Sequence, residues 1–82
     1  MITVKFFAQF RELLGTESLE LAIGDGTTIA DLRTLLASEI SEFDSVVRPN
    51  EFLCALNHTL TDQHAVLSDG DEVAFLPPVT GG

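Results

Sequence analysis

Asp69-Gly70-Asp71-Glu72-Val73-Ala74-Phe75-Leu76-Pro77-Pro78-Val79-Thr80-Gly81-Gly82 closes the chain. Asp69-Gly70-Asp71 is a turn, Glu72 to Leu76 alternates as a strand, and Pro77-Pro78 ends that strand because neither proline donates to a ladder. A carboxylate is almost never buried unpaired, so Glu72, Ala74 and Leu76 face outward while Val73 and Phe75 face a core. After the strand no charged residue follows, and the chain stops at two glycines. Glycine makes up about 7% of average sequence, so a Gly-Gly end arises by chance in roughly 0.5% of chains. Gly82 has no side chain, and its carboxylate is open to approach from several directions. Residues 77–82 therefore read as an extended tail that places a bare carboxylate in another protein's active site, behind a domain over residues 1–76.

Upstream of that strand, Glu51-Phe52-Leu53-Cys54-Ala55-Leu56-Asn57 is another, Asn57-His58 a turn, and Leu60-Thr61 a short strand beyond it. Thr27 or Thr28 caps a helix over roughly residues 28–40, with Asp31 in its first turn. Ile29, Leu32, Leu36 and Ile40 recur at helical spacing along it, with Leu35 beside them. Between helix and strand, Ser41 to Glu51 reads as a short helical turn and a loop. At the other end, residues 2–9 alternate: Ile2, Val4, Phe6 and Ala8 toward the core, Thr3, Lys5, Phe7 and Gln9 away from it. Phe10 to Gly15 is a short helical turn closed by glycine, and Ser18 to Ile23 alternates again before the turn Gly24-Asp25-Gly26. The order ββαβ(β)β, one main helix on a small mixed sheet, is an α+β arrangement.

The 82 residues make one domain. Thirteen acids against four bases leave a net charge of −9, which disfavours nucleic acid and anionic membranes and favours a protein partner with a basic face. Cys54 is the one cysteine, so there is no internal disulfide and no thiolate set for zinc or an iron–sulfur cluster. A reducing cytoplasm fits that usage. The N-terminus lacks the pattern of a secretory signal, and no apolar run approaches the ~20 residues that span a bilayer.

If the first and last strands are neighbours, Phe7, Ala74 and Leu76 form an exposed apolar patch at the root of the tail, where a partner docks. Arg11 is a candidate for a rim ion pair, and Leu60 a lesser member of the same surface. His58, Asp62 and His64 read as solvated loop rather than metal ligands. Cys54, flanked by apolar Phe52 and Leu56 on alternate positions, reads as a small buried hydrophobe. No catalytic triad, phosphate-cradling loop or metalloprotease motif occurs, so no metal and no stably bound cofactor is expected.

Phe6-Phe7-Ala8-Gln9-Phe10-Arg11-Glu12-Leu13-Leu14-Gly15, together with the segment from Asp69 to Gly82, resembles the small, sulfur-carrier subunits of molybdopterin synthase, members of the ubiquitin-like β-grasp superfamily. The resemblance covers essentially the whole chain, and its specificity lies in the two ends. It implies a β-grasp fold and a carrier that is no enzyme by itself. An activating enzyme uses ATP to adenylate the Gly82 carboxylate, and a sulfur donor system converts it to a thiocarboxylate. The large synthase subunit then receives the tail, and sulfur passes to cyclic pyranopterin monophosphate to build the dithiolene that holds molybdenum. The resemblance further implies a heterotetramer with the large subunit. The tail residues Pro77, Pro78, Val79, Thr80 and Gly81 would thread into the partners, with the patch docking beside them.

A thiamine-type sulfur carrier shares fold, tail and adenylation; the acidic insert Ser41–Pro49 and the Pro-Pro-Val-Thr lead favour the molybdopterin branch. A ubiquitin-like modifier forming isopeptides with target lysines would use the same tail.

Overall fold

Ile2, Val4 and Phe6 are fully buried on one side of the first strand while Thr3 and Lys5 stay half-exposed on the other, as alternation requires. The computed structural model describes residues 1–78. Strand β1 (Ile2–Phe6) leads into helix α1 (Ala8–Leu14) and strand β2 (Ser18–Leu21); helices α2 (Ile29–Glu39) and α3 (Phe43–Val46) follow, then strands β3 (Leu53–Leu56), β4 (Thr59–Thr61) and β5 (Glu72–Leu76). The five strands form one sheet in the order β2-β1-β5-β3-β4. β1 and β5 are parallel, Val4 opposite Val73 and Lys5 opposite Ala74, and the other pairs are antiparallel. This is the β-grasp arrangement, a mixed sheet wrapped on one face by α2.

One expectation is corrected at the start of the chain. The strand stops at Phe6, and Ala8, expected on the core side, is exposed with φ of 52°. Phe7 stays extended and its N–H donates to the Phe75 carbonyl at 3.2 Å. The left-handed turn at Ala8 then swings Phe10, rather than Ala8, into the core. Gly15 closes α1 at φ 68°, and its N–H donates to the Arg11 carbonyl at 3.0 Å, the left-handed cap for which glycine has no steric penalty.

Thr28 is the residue that caps α2. Its hydroxyl accepts from the Asp31 N–H at 3.1 Å while the Asp31 carboxylate accepts from the Thr28 N–H at 3.0 Å, a reciprocal capping box. The next free N–H groups of that helix end, Ile29 and Ala30, donate to the carbonyls of Ala65 and Gln63, so the loop before β5 is stitched to the start of α2. Ile29, Leu32 and Leu36 face the sheet and are fully buried.

The segment 41–50 contributes to the core. Phe43 and Val47 are fully buried, and the rings of Phe6, Phe43 and Phe75 lie with centroids 6.0 Å apart in each pairing. Arg33 of α2, only 8% exposed, holds this segment in place. Its Nε and Nη2 donate to the Val47 carbonyl at 3.1 and 2.6 Å, Nη2 also pairs with Asp44, and the guanidinium lies 5.7 Å from the centre of the Phe43 ring. Asn57 and His58, both left-handed, make the two-residue turn between β3 and β4. The Asn57 side chain locks that turn to β5, accepting from the Glu72 N–H and donating to Asp71, both at 3.0 Å.

Candidate functional site

The register of the sheet decides what its helix-free face presents. Lys5, Ala74, Ala55 and Leu60 fall in one row across four strands, and Leu76 with Leu53 in the next. Phe7, held against β5 through the Phe75 carbonyl, extends the second row beyond β1. Leu60 is 66% exposed, Phe7 42% and Leu53 37%, with Leu76 and Ala74 half-exposed between them. These residues make a continuous apolar surface at the point where the chain leaves β5, and Pro77 and Pro78 continue from it. Single exposed apolar side chains need no explanation, and Leu13 and Val66 are such cases here; an apolar surface that joins three strands and Phe7 does.

Phe7, Ala74 and Leu76 are thus brought together, and Leu60 belongs to the same surface. Arg11 is exposed on α1, one helical turn after Phe7, and makes no ion pair among the described residues. Val79, Thr80, Gly81 and Gly82 lie outside the described residues. Leu53 is a member that sequence reasoning missed; Ala55, on the same face of β3, is buried beneath its neighbours. The signal was available, because turning Cys54 and Leu56 inward turns Leu53 and Ala55 outward on the same strand.

One charged cluster borders the patch. The Glu72 carboxylate lies 3.4 Å from Lys5 Nζ and 3.3 Å from His58 Nε2, so it sits between two nitrogen bases at the edge of the apolar rows. Just before β5, the N-terminal ammonium is paired with Asp69. That hydrogen-bonded pair holds the Asp69 carboxyl below the ordinary carboxylate range, and bonds from Asn57 and the Ser68 N–H do the same for Asp71.

Cys54 points to the core side of β3, opposite Phe75, and its thiol donates to the Thr61 carbonyl at 3.3 Å. Burial, with a smaller contribution from the Asp62 carboxylate, pushes its pKa up, which suppresses the thiolate. A cavity of about 270 Å³ lies beside it, with Phe52, Asp62 and His64 in its lining. Among the described residues no three His, Cys, Asp or Glu side chains are grouped to hold a metal ion, and no helix is long and apolar enough to cross a membrane.

Fold and surface define a ubiquitin-like β-grasp domain whose open sheet face is apolar where the chain leaves β5. The chain belongs to the ThiS family, whose profile matches residues 4–82. It is 46% identical over 82 residues to the molybdopterin synthase sulfur carrier subunit of Escherichia coli, covering both chains completely. The complex of subunits 1 and 2 of the molybdopterin-converting factor from Helicobacter pylori contains a chain that superimposes with a TM-score of 0.67 at 28% identity, over 99% of this chain and 97% of that one. SAMP1 from Haloferax volcanii superimposes with a TM-score of 0.84 at 23% identity, covering 99% and 98%, a likeness of fold.

Proposed function

We propose that this chain is the sulfur carrier of molybdopterin synthesis, working in the cytoplasm with its reactive atom at Gly82. The observation that carries this reading is the 46% identity, complete over both chains, to the Escherichia coli sulfur carrier subunit. The same match favours the molybdopterin branch over a thiamine-type carrier.

The chemistry follows from the tail. A carboxylate with a pKa near ~3.3 is ionised at neutral pH and is a poor electrophile. The activating enzyme joins one Gly82 oxygen to the α-phosphorus of ATP, releasing pyrophosphate, and the resulting adenylate is a good leaving group. A sulfur donor displaces AMP and leaves a thiocarboxylate, ionised at neutral pH and nucleophilic through sulfur. In the large subunit that sulfur bonds to the pterin precursor, water cleaves the acyl–sulfur bond, and the carrier leaves as carboxylate to be recharged. A side chain at position 81 or 82 would crowd both partners, while Pro77-Pro78 stiffens the root of the tail and reduces the entropy lost on threading. Docking falls to Phe7, Leu53, Leu60, Ala74 and Leu76, with Arg11 at the rim. The same patch serves the activating enzyme and the large subunit in turn, and the carrier assembles with the latter as a heterotetramer.

The test is reconstitution with the large subunit and precursor. Thiocarboxylated full-length chain yields dithiolene product; chain lacking Gly82 yields none. Product from the truncated chain would refute the assignment. Conjugates of Gly82 with lysines of other proteins in cell extract would instead support a modifier.

A further inference from the structure

The carrier reading makes Gly82, once adenylated, an acylating agent for any amine within reach, and the chain is unusually poor in amines. Lys5 is its one lysine; the other three basic residues, Arg11, Arg33 and Arg48, carry guanidinium groups that stay protonated and are not nucleophiles. Lys5 stands opposite Ala74 on parallel strands and on the same outer face as Leu76. Strand spacing and rise put it ~8 Å from the root of the tail. Six residues from Pro77 to Gly82 reach up to ~20 Å, so the chain's own terminus spans that distance with slack to double back. The only other amine, at Met1, starts β1 at the opposite end of the sheet and is paired with Asp69. The single thiol, Cys54, faces the core.

Lys5 is therefore the nucleophile most exposed to self-acylation, and it is held. Glu72, fixed at the start of β5 by the Asn57 side chain and by its register with Thr3, places one carboxylate oxygen 3.4 Å from Lys5 Nζ. His58 approaches the other oxygen.

We propose that Glu72 is a specificity-determining residue of this carrier: by pairing with Lys5 it slows closure of the activated terminus onto the chain's own lysine and so favours delivery of the adenylate to sulfur. The reaction held off is complete in itself. The Lys5 amine attacks the Gly82 carbonyl carbon, AMP leaves with the electrons of the acyl–oxygen bond, and the ammonium proton goes to water. The product is an Lys5–Gly82 isopeptide ring lighter than the starting chain by one water.

This inference rests on the carrier reading, and two measurements separate their failures. In the first, purified wild-type, Glu72→Gln and Glu72→Asp chains are acetylated with N-hydroxysuccinimidyl acetate, and modification of Lys5 is followed by peptide mass. The expected result is about two- to fivefold faster labelling of the Gln variant, the range for losing an exposed ion pair, with the Asp variant near wild type. In the second, each chain is incubated with its activating enzyme and ATP without a sulfur donor, and intact mass is followed. The dehydrated ring is expected to form about two- to fivefold faster in Glu72→Gln than in wild type, in line with the lost ion pair, and to vanish in Glu72→Gln/Lys5→Arg. Equal labelling of the three chains, or adenylation of Glu72→Gln with no ring, would overturn the guard alone. No adenylation of the wild-type chain would overturn the carrier reading and leave nothing to guard.

Discussion

Phe7 is nearly half exposed, with its backbone bonded to β5 and its ring on the helix-free face, so its replacement removes area from the proposed docking surface and little from the core. Phe7→Ala is expected to raise the dissociation constant for the large subunit at least tenfold, as for an aromatic anchor at an interface, while the melting temperature moves by no more than about 2 °C. Titration calorimetry and thermal melts check both halves. A large loss of stability would put Phe7 in the core and overturn the face assignment. Alternation was enough to orient Phe7, Ala74 and Leu76, since a charged neighbour, Lys5 or Glu72, marks the outer side of each strand. Leu53 is harder to orient: Glu51 marks its side only if the strand reaches that far, and β3 itself, Leu53–Leu56, holds no charge, so both of its faces read as apolar. Arg33 was illegible for a different reason: its sequence neighbours say nothing of a carbonyl fourteen residues on, at Val47, that accepts from it.

At the scale of elements, α2 and β5 carried their own boundaries. Thr27 or Thr28, with Asp31 behind, announces the helix start, which the structure puts at Thr28, and Pro77 ends the strand. Thr28→Ala removes half of the capping box and is expected to destabilise by about 1 kcal/mol, lowering the melting temperature by roughly 4–8 °C in a domain of this size. The helix α3 has only four residues, with no side-chain cap and too short a run for a period, and tertiary contacts place it: Phe43 between Phe6 and Phe75, and Arg33 bridging to Val47 and Asp44. Arg33→Ala strands the Val47 carbonyl and opens the packing on Phe43, an expected loss of about 2–3 kcal/mol in urea unfolding. Asp44→Asn, by contrast, changes an exposed partner and leaves both bonds to Val47, so it should cost under about 1 kcal/mol. Equal effects from the two variants would show that the ion pair, rather than the carbonyl bridge, holds α3.

The whole molecule is strongly acidic, with a net charge of −9 and most bases already paired. Screening this self-repulsion should stabilise the fold, so the melting temperature is expected to rise between about 10 mM and 0.5 M sodium chloride; a fall would show that the ion pairs outweigh the repulsion. Acid acts through Asp69 and Asp71, whose folded-state pKa values are depressed. The stability they contribute is complete above the ordinary aspartate value near ~3.9 and is lost as pH falls from there through their lowered native values. Asp69→Asn and Asp71→Asn should therefore lower stability at neutral pH and flatten the loss below about pH 4, read from denaturant midpoints against pH. At this scale the net charge and the Gly-Gly end were plain in the sequence and pointed to a protein partner; the sheet order that gathers five apolar residues at the tail's root needed the register.

The central claim is that Gly82 carries sulfur, and the most direct measurement is the intact mass of the chain isolated from cells that contain its activating enzyme and sulfur donor, followed by fragmentation of the C-terminal peptide. Replacement of one oxygen by sulfur, confined to Gly82, is the predicted result. An unshifted terminus in the presence of both the activating enzyme and the sulfur donor would contradict it.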